Sequence, residues 1–176
     1  TISDFERIGD HAAFIAYTSS EMNEKHTRFS EEARNELNVV MEAVREIINI
    51  TCRVFMNDDK EEAKRVAPLG VVITTLCDEL KHNHVRRLSS GACGLEEGTV
   101  FTDILNSFTR IASHCASAMT ALTKAGEDDA DIHIHNSRVY AGDGMEYYSY
   151  FTEYSEKYDI RKNDGHVRSM EPEEVE

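Results

Sequence analysis

Apolar residues recur along most of this chain at spacings of three and four, and very little interrupts them. Phe5, Ile8, Ala12, Ile15 and then Ser19 set the pattern. Leu37, Met41, Val44, Ile48 and Phe55 repeat it, and Val71, Leu76, Leu80, His84 and Leu88 carry it on. That period is the helical one. Proline breaks a helix by removing a donor and crowding the preceding turn, and it stands only at Pro68 and Pro172. The abundance of Glu, Ala, Leu and Met points the same way. The pattern predicts an all-α chain.

Stop and start signals divide the pattern. The first helix is under way at residue 1 and runs to about Lys25. Ser30 is a good N-cap, with Glu31 and Glu32 in the first turn of the second helix. Asn57-Asp58-Asp59 ends that helix and caps the next, which runs from Lys60 to Ser89 with a kink or break expected at Pro68. Ser89-Ser90-Gly91 stops it. A loop holding Gly94 and Gly98 leads to a fourth helix from Thr99 to Lys124, closed by Gly126. An acidic turn (Glu127–Asp131) and an extended Ile132-His133-Ile134-His135 follow, and the Gly142-Asp143-Gly144 break precedes the last helix. Tyr147, Tyr150, Phe151, Tyr154 and Tyr158 give that helix, over 145–159, an aromatic face; the polar residues from Asn163 are expected to fray.

Composition narrows the partners. The formal net charge of -14 would be repelled by nucleic acid and by an anionic membrane surface, so no nucleic-acid partner is expected. It suits cations or a basic protein surface. Cys52, Cys77, Cys93 and Cys115 form no C-x-x-C pair and read as reduced packing thiols in a cytosolic setting. No apolar run reaches the roughly 18–20 residues of a membrane span, and no leader sequence is recognisable. The chain opens at Thr1, inside a helical pattern, and is expected to be a piece of a longer protein.

The first helix has an echo. Phe5-Glu6-Arg7-Ile8-Gly9-Asp10-His11-Ala12-Ala13 aligns with Phe108-Thr109-Arg110-Ile111-Ala112-Ser113-His114-Cys115-Ala116, sharing Phe, Arg, Ile, His and Ala. Amphipathicity alone does not demand the arginine and histidine matches. The interval holds two further helices, which suggests a duplicated three-helix unit with only the last helix of the first copy present.

The stretch F-E-R-I-G-D-H-A (Phe5–Ala12) resembles the signature helix of the PhoU family. The later L-K-H-N-H-V-R-R-L (Leu80–Leu88), G-A-C-G-L-E-E-G (Gly91–Gly98), the Asp103…Arg110-Ile111…His114-Cys115 helix and the ending Tyr154-Ser155-Glu156-Lys157-Tyr158 are similar to the PhoU-like domain behind sodium/phosphate cotransporters. The likeness spans nearly the whole chain, loosely over 126–146. It implies an antiparallel helical bundle: residues 1–28 as the last helix of a truncated first bundle, 29–125 as a complete second three-helix bundle, and 126–176 as a tail. It also implies a non-catalytic regulatory domain at the cytoplasmic face of the membrane, modulating phosphate uptake or signalling through protein contacts. The partners would be the membrane-embedded part of the same polypeptide and a second copy held through exposed apolar helix faces. A stand-alone PhoU-type regulator of an ABC phosphate transporter and sensor kinase is one alternative; a metal-binding helical bundle is another.

Glu6 and Asp10 lie one turn apart, opposite the apolar stripe, and are the candidate metal ligands. Their repulsion would be relieved by a hard divalent or iron cation, but two carboxylates need further ligands from other helices. In the second copy the pair has become Thr109 and Ser113, and Thr74 stands where the resemblance leads one to expect an acidic residue. A second site is therefore expected to be dead. Asp78 with Lys81 and His82 reads as a surface cluster, while His133 and His135 would share a face if extended. His11 and His114 flank the stripe at equivalent positions and are expected to hydrogen-bond within the bundle. A di-metal enzyme would need paired Glu-x-x-His motifs, and Glu79/His82 stands alone. There is no Gly-rich phosphate loop, no H-E-x-x-H and no nucleophile with a base close by in the sequence, so no enzyme is expected.

Overall fold

The computed structural model describes residues 1–124 and 144–163. The described residues are mostly helical and contain no strand. In chain order these are α1 (Ile2–Glu24), α2 (Glu31–Asn57), α3 (Lys60–Ala63), α4 (Val66–Ser89), α5 (Leu95–Lys124), α6 (Gly144–Lys157) and α7 (Ile160–Asn163). The expected acidic turn, the extended His133/His135 segment and the frayed end beyond Asn163 lie outside the described residues.

The ends form for local reasons. Ser30 Oγ accepts the Ala33 N–H at 3.2 Å, a cap worth about 1 kcal/mol. Asp58 takes the left-handed conformation (φ 52) that stops α2, and Asp59 caps α3 through the N–H groups of Glu61 and Glu62. Gly91, at φ 72, closes α4 where a side chain would be strained. The kink expected at Pro68 falls a few residues earlier, at Lys64–Arg65, between α3 and α4. Pro68 itself sits in the first turn of α4, where the missing N–H costs nothing. Helix α5 begins a full turn before the expected Thr99, because Leu95–Gly98 joins it despite Gly98.

Helices α2, α4 and α5 enclose the core. Ile47, Ile50, Leu69, Ile73, Leu80, Phe101, Leu105 and Ile111 are fully or almost fully buried there. Glu36 meets Asn83 while Ile47 reaches Gly70, so α2 and α4 run antiparallel. His84 stacks near Phe101 while Gly70 lies near Ala112, so α4 and α5 do too. Helix α1 packs on the outside of α5, with Asp4 against His114 and Lys25 against Glu96, again antiparallel. Helix α6 packs against α4, and α7 touches α2. Tyr154 is fully buried, and the Tyr158 hydroxyl donates to Glu46 of α2, so the aromatic face of the last helix covers the bundle.

The elements fall close to their expected places, and their buried faces match the expected stripes in part: Ile8, Val44, Leu76, Leu80 and His84 are buried as expected. On α2 the core residues are Val40, Ala43, Val44, Ile47, Ile50, Thr51 and Val54; Leu37, Met41 and Ile48 are half-buried and Phe55 is exposed. On α4, Val72 and Ile73 are buried, whereas Val71 and Leu88 face outward. On α1, Ile8 and Thr18 are buried, Phe5 and Ile15 are half-buried, and Ala12 and Ser19 are exposed.

Candidate functional site

The seam between α1 and α5 joins the two copies of the repeat. His11 and His114, which are equivalent residues, stack with ring centroids 6.1 Å apart and planes inclined by 26°. Because the helices are antiparallel, this self-pairing places an approximate two-fold relation at the centre of the seam. The surroundings break the symmetry. His114 Nδ1 lies 3.2 Å from Asp4 Oδ1, whereas the residue equivalent to Asp4 is Ser107, whose hydroxyl donates to its own helix at Asp103. Burial, with Arg110 and His114 beside it, pulls the His11 pKa below the usual histidine value against an opposing push from Asp10. The expected histidine hydrogen bond is present at His114, while the surroundings of His11 disfavour its protonated form.

Glu6 and Asp10 are both exposed on α1, away from the seam. Among the described residues no third His, Cys, Asp or Glu joins them to make a group of metal-ligand size. The equivalent residues of the second copy are spent on their own helix: Thr109 donates to Leu105 O and Ser113 to Thr109 O, while Thr74 donates to Gly70 O. Asp78 pairs with Lys81 at 3.3 Å, and His82 Nδ1–H donates to the Asp78 carbonyl at 2.7 Å. That cluster is a set of contacts within one turn of α4.

A second constellation, which the linear sequence does not reveal, sits at the other end of the bundle. A cavity of about 270 Å³ opens where the α1–α2 turn, the end of α4 and the start of α5 meet. Arg28, Phe29, His84, Arg87, Cys93 and Glu97 are among the residues lining it. Arg87 is only 7% exposed, and Glu36 behind it 4%. Glu36 is shared: Oε1 accepts from Asn83 at 2.6 Å and Oε2 lies 2.8 Å from Arg87 Nη2. Glu32 adds a longer contact to Arg87 at 3.6 Å. The pair neutralises charge, yet the close Nη2–Oε2 approach is out of line for a hydrogen bond, and Nη1 and Nη2 both lack a well-directed acceptor. A guanidinium has five donors, so the two ion pairs leave part of its hydrogen-bonding capacity open. Phe101 supplies a ring face 5.3 Å from the guanidinium carbon.

His84 stands on the same wall. A Cβ on Gly98 would come within 2.5 Å of His84 Nε2, so only glycine admits the ring at this place. Burial and the Arg87 charge lower the His84 pKa, against a smaller opposing effect of Glu36. Its Nδ1 lies 3.7 Å from Cys93 Sγ, in range for a sulfur hydrogen bond. A thiol and an imidazole are thus adjacent without being neighbours in the sequence. The other cysteines differ. Cys77 and Cys115 are buried, and burial pushes their thiols up to about 11, while Cys52 is exposed on α2. The signal available beforehand was Arg87, three residues after the buried His84 and so on an apolar helix face.

No known protein-family model matches this chain, and neither a curated protein nor a solved structure does so.

Proposed function

We propose that this chain is a PhoU-like regulatory domain acting through protein contacts on a sodium-dependent phosphate cotransporter, at the cytoplasmic face of the membrane. The observation that supports it best is the antiparallel pairing of two repeat-related helices, α1 and α5, about the His11–His114 stack. Two bundles that each offer their last helix to the other make such a seam.

The two helices share a pattern but differ in cover. Ala112 and Cys115 of α5 lie against α4 and α2: a Cβ on Gly70 would meet the Ala112 carbonyl at 3.8 Å, and Cys115 interacts with Thr51. Their equivalents on α1 are Gly9 and Ala12, both exposed; Ile2 and Ala16, which match the buried Leu105 and Met119, are exposed as well. In this reading that bare face takes two helices of a first unit, in the way that α2 and α4 cover α5. Glu6, the equivalent of Thr109, lies at the edge of the same face, so the further ligands a Glu6/Asp10 metal site needs would come from those helices.

The test is sodium-dependent phosphate uptake by cells expressing the full gene product. Gly9→Lys or Ala16→Lys on the bare face should change uptake several-fold at unchanged protein amount. Uptake that is independent of sodium, or indifferent to both substitutions, would sink the reading.

A further inference from the structure

We propose that the cavity between the end of α4 and the start of α5 is a binding site for a small oxyanion, held by Arg87 with help from Arg28. Arg87 is more than nine-tenths buried and lines the cavity, and its terminal nitrogens, though ion-paired with Glu36 and Glu32, have no well-directed hydrogen-bond acceptor. Buried donors that are paired in charge but not in direction leave room for a further acceptor. A planar guanidinium offers paired parallel N–H groups, the geometry that carboxylate or phosphate oxygens accept.

The rest of the wall adds further donors for a small anion. Arg28 adds a second, exposed cation at the rim. The first turn of α5 brings backbone N–H groups to the same place, since Gly98 is the first residue there to bond back, to Gly94 at 3.2 Å. Gly94 and Gly98 keep Cβ atoms out of the way; a Cβ on Gly94 would come 2.2 Å from Glu97 Oε2. Phe29 and Phe101 pack edge-to-face at 5.6 Å and floor the cavity with apolar surface, which strengthens charge interactions above it. Three carboxylates oppose an anion. Glu36 and Glu32 sit against Arg87 and already balance part of its charge, and Glu97, folded back over the helix start, occupies the place that a ligand oxyanion would take. Glu97 thus acts as an internal stand-in that a ligand displaces.

Cys93 is a built-in reporter, and Cys52 on α2 is its reference. The experiment follows alkylation of each thiol by iodoacetamide, by peptide mass mapping, at constant ionic strength. Inorganic phosphate, sulfate or acetate is added against a chloride control. At an anion concentration ten times its dissociation constant, Cys93 should be protected about ten-fold, with Cys52 unchanged. Arg28→Ala should weaken protection, Arg87→Lys should weaken it further because the fork is lost while Glu36 stays paired, and Glu97→Gln should strengthen it. Both Arg28 and Glu97 are at the surface or rim, so these variants fold whatever becomes of Arg87. The proposal is overturned if no oxyanion slows Cys93 at concentrations up to about 10 mM, the weak end of specific binding. Equal slowing of both thiols, or protection that survives Arg28→Ala unweakened or is lost in Glu97→Gln, overturns it too.

Discussion

Helices α1 and α5 carry the same pattern and live in different surroundings. Phe108, Ile111, Ala112 and Cys115 are all buried; at the equivalent places on α1 only Ile8 is, with Phe5 half-buried and Gly9 and Ala12 exposed. One face of α5 packs on α2 and α4 while another meets α1. The difference teaches that a helical stripe read from a sequence reports what a helix is built to bury, not what it buries in a given chain. Gly9, Ala12 and Ala16 match residues that sit tightly in the core on α5, and on α1 they make a smooth strip beside Ile2, 83% exposed, and Tyr17, 69% exposed.

The sharpest way to break the comparison is to truncate the paired phenylalanines. Phe108 is 4% exposed in the middle of the core, and Phe108→Ala should cost about 3–5 kcal/mol in denaturant unfolding. Phe5 is half-buried and touches Phe55 edge-on at 4.9 Å, so Phe5→Ala should cost about 1 kcal/mol. Equal losses would mean that α1 is as deeply seated as α5 and that its bare face is covered.

Enlarging the paired small residues tests the same point from the other side. Ala112→Leu forces extra volume into a packed core and should destabilise by about 1–3 kcal/mol. Gly9 has nothing within 4 Å of a Cβ, so Gly9→Ala should instead stabilise the isolated chain by roughly 0.5–1 kcal/mol through helix propensity alone. Thermal or denaturant melts of the two variants decide it. In a full gene product whose further helices cover α1, a bulkier Gly9→Leu should turn from harmless to damaging. If it stays harmless there, the bare face has no occupant.

These pairs also show how much was readable in advance. Helix positions were, because caps and glycines act locally: Ser30, Asp58, Asp59 and Gly91 each do in space what their chemistry announces. Faces were less so. The expected stripe of α2, Leu37, Met41, Val44, Ile48 and Phe55, met the core only at Val44 and otherwise ran along the edge of a wide buried arc, since α4, α5 and α7 all touch this helix. The first turn of α5 read as loop because glycine propensity is low, and tertiary packing of His84 on Gly98 overrode it. The Glu36–Arg87 pair was the least legible feature. Charged residues are ordinarily solvated, and only the three-dimensional meeting of α2 with the end of α4 makes burial of both bearable. Glu6 and Asp10 stand out plainly in the sequence, yet they stay exposed and two-handed among the described residues.

The smallest effect, and the one that bears most directly on the seam, is the response to acid. His11 has a folded-state pKa below its unfolded value, through burial first and then the charge of Arg110. The unfolded chain therefore binds a proton more readily than the folded one, and stability falls as pH drops through about 6.5, the unfolded histidine value. His84 contributes the same sign for its own reason, burial followed by Arg87. The two are separable by substitution. His11→Gln keeps a polar side chain without a titrating ring and should remove part of the loss between about pH 7 and pH 5. Arg110→Gln should lessen the same loss by taking away the charge that disfavours a protonated His11. His84→Gln should remove the remainder while leaving the seam untouched. Denaturant melts across that range measure all three. If His11→Gln leaves the slope unchanged and His84→Gln takes all of it, the ring at position 11 is solvated, and α1 is held to α5 less closely than its stacked histidines require.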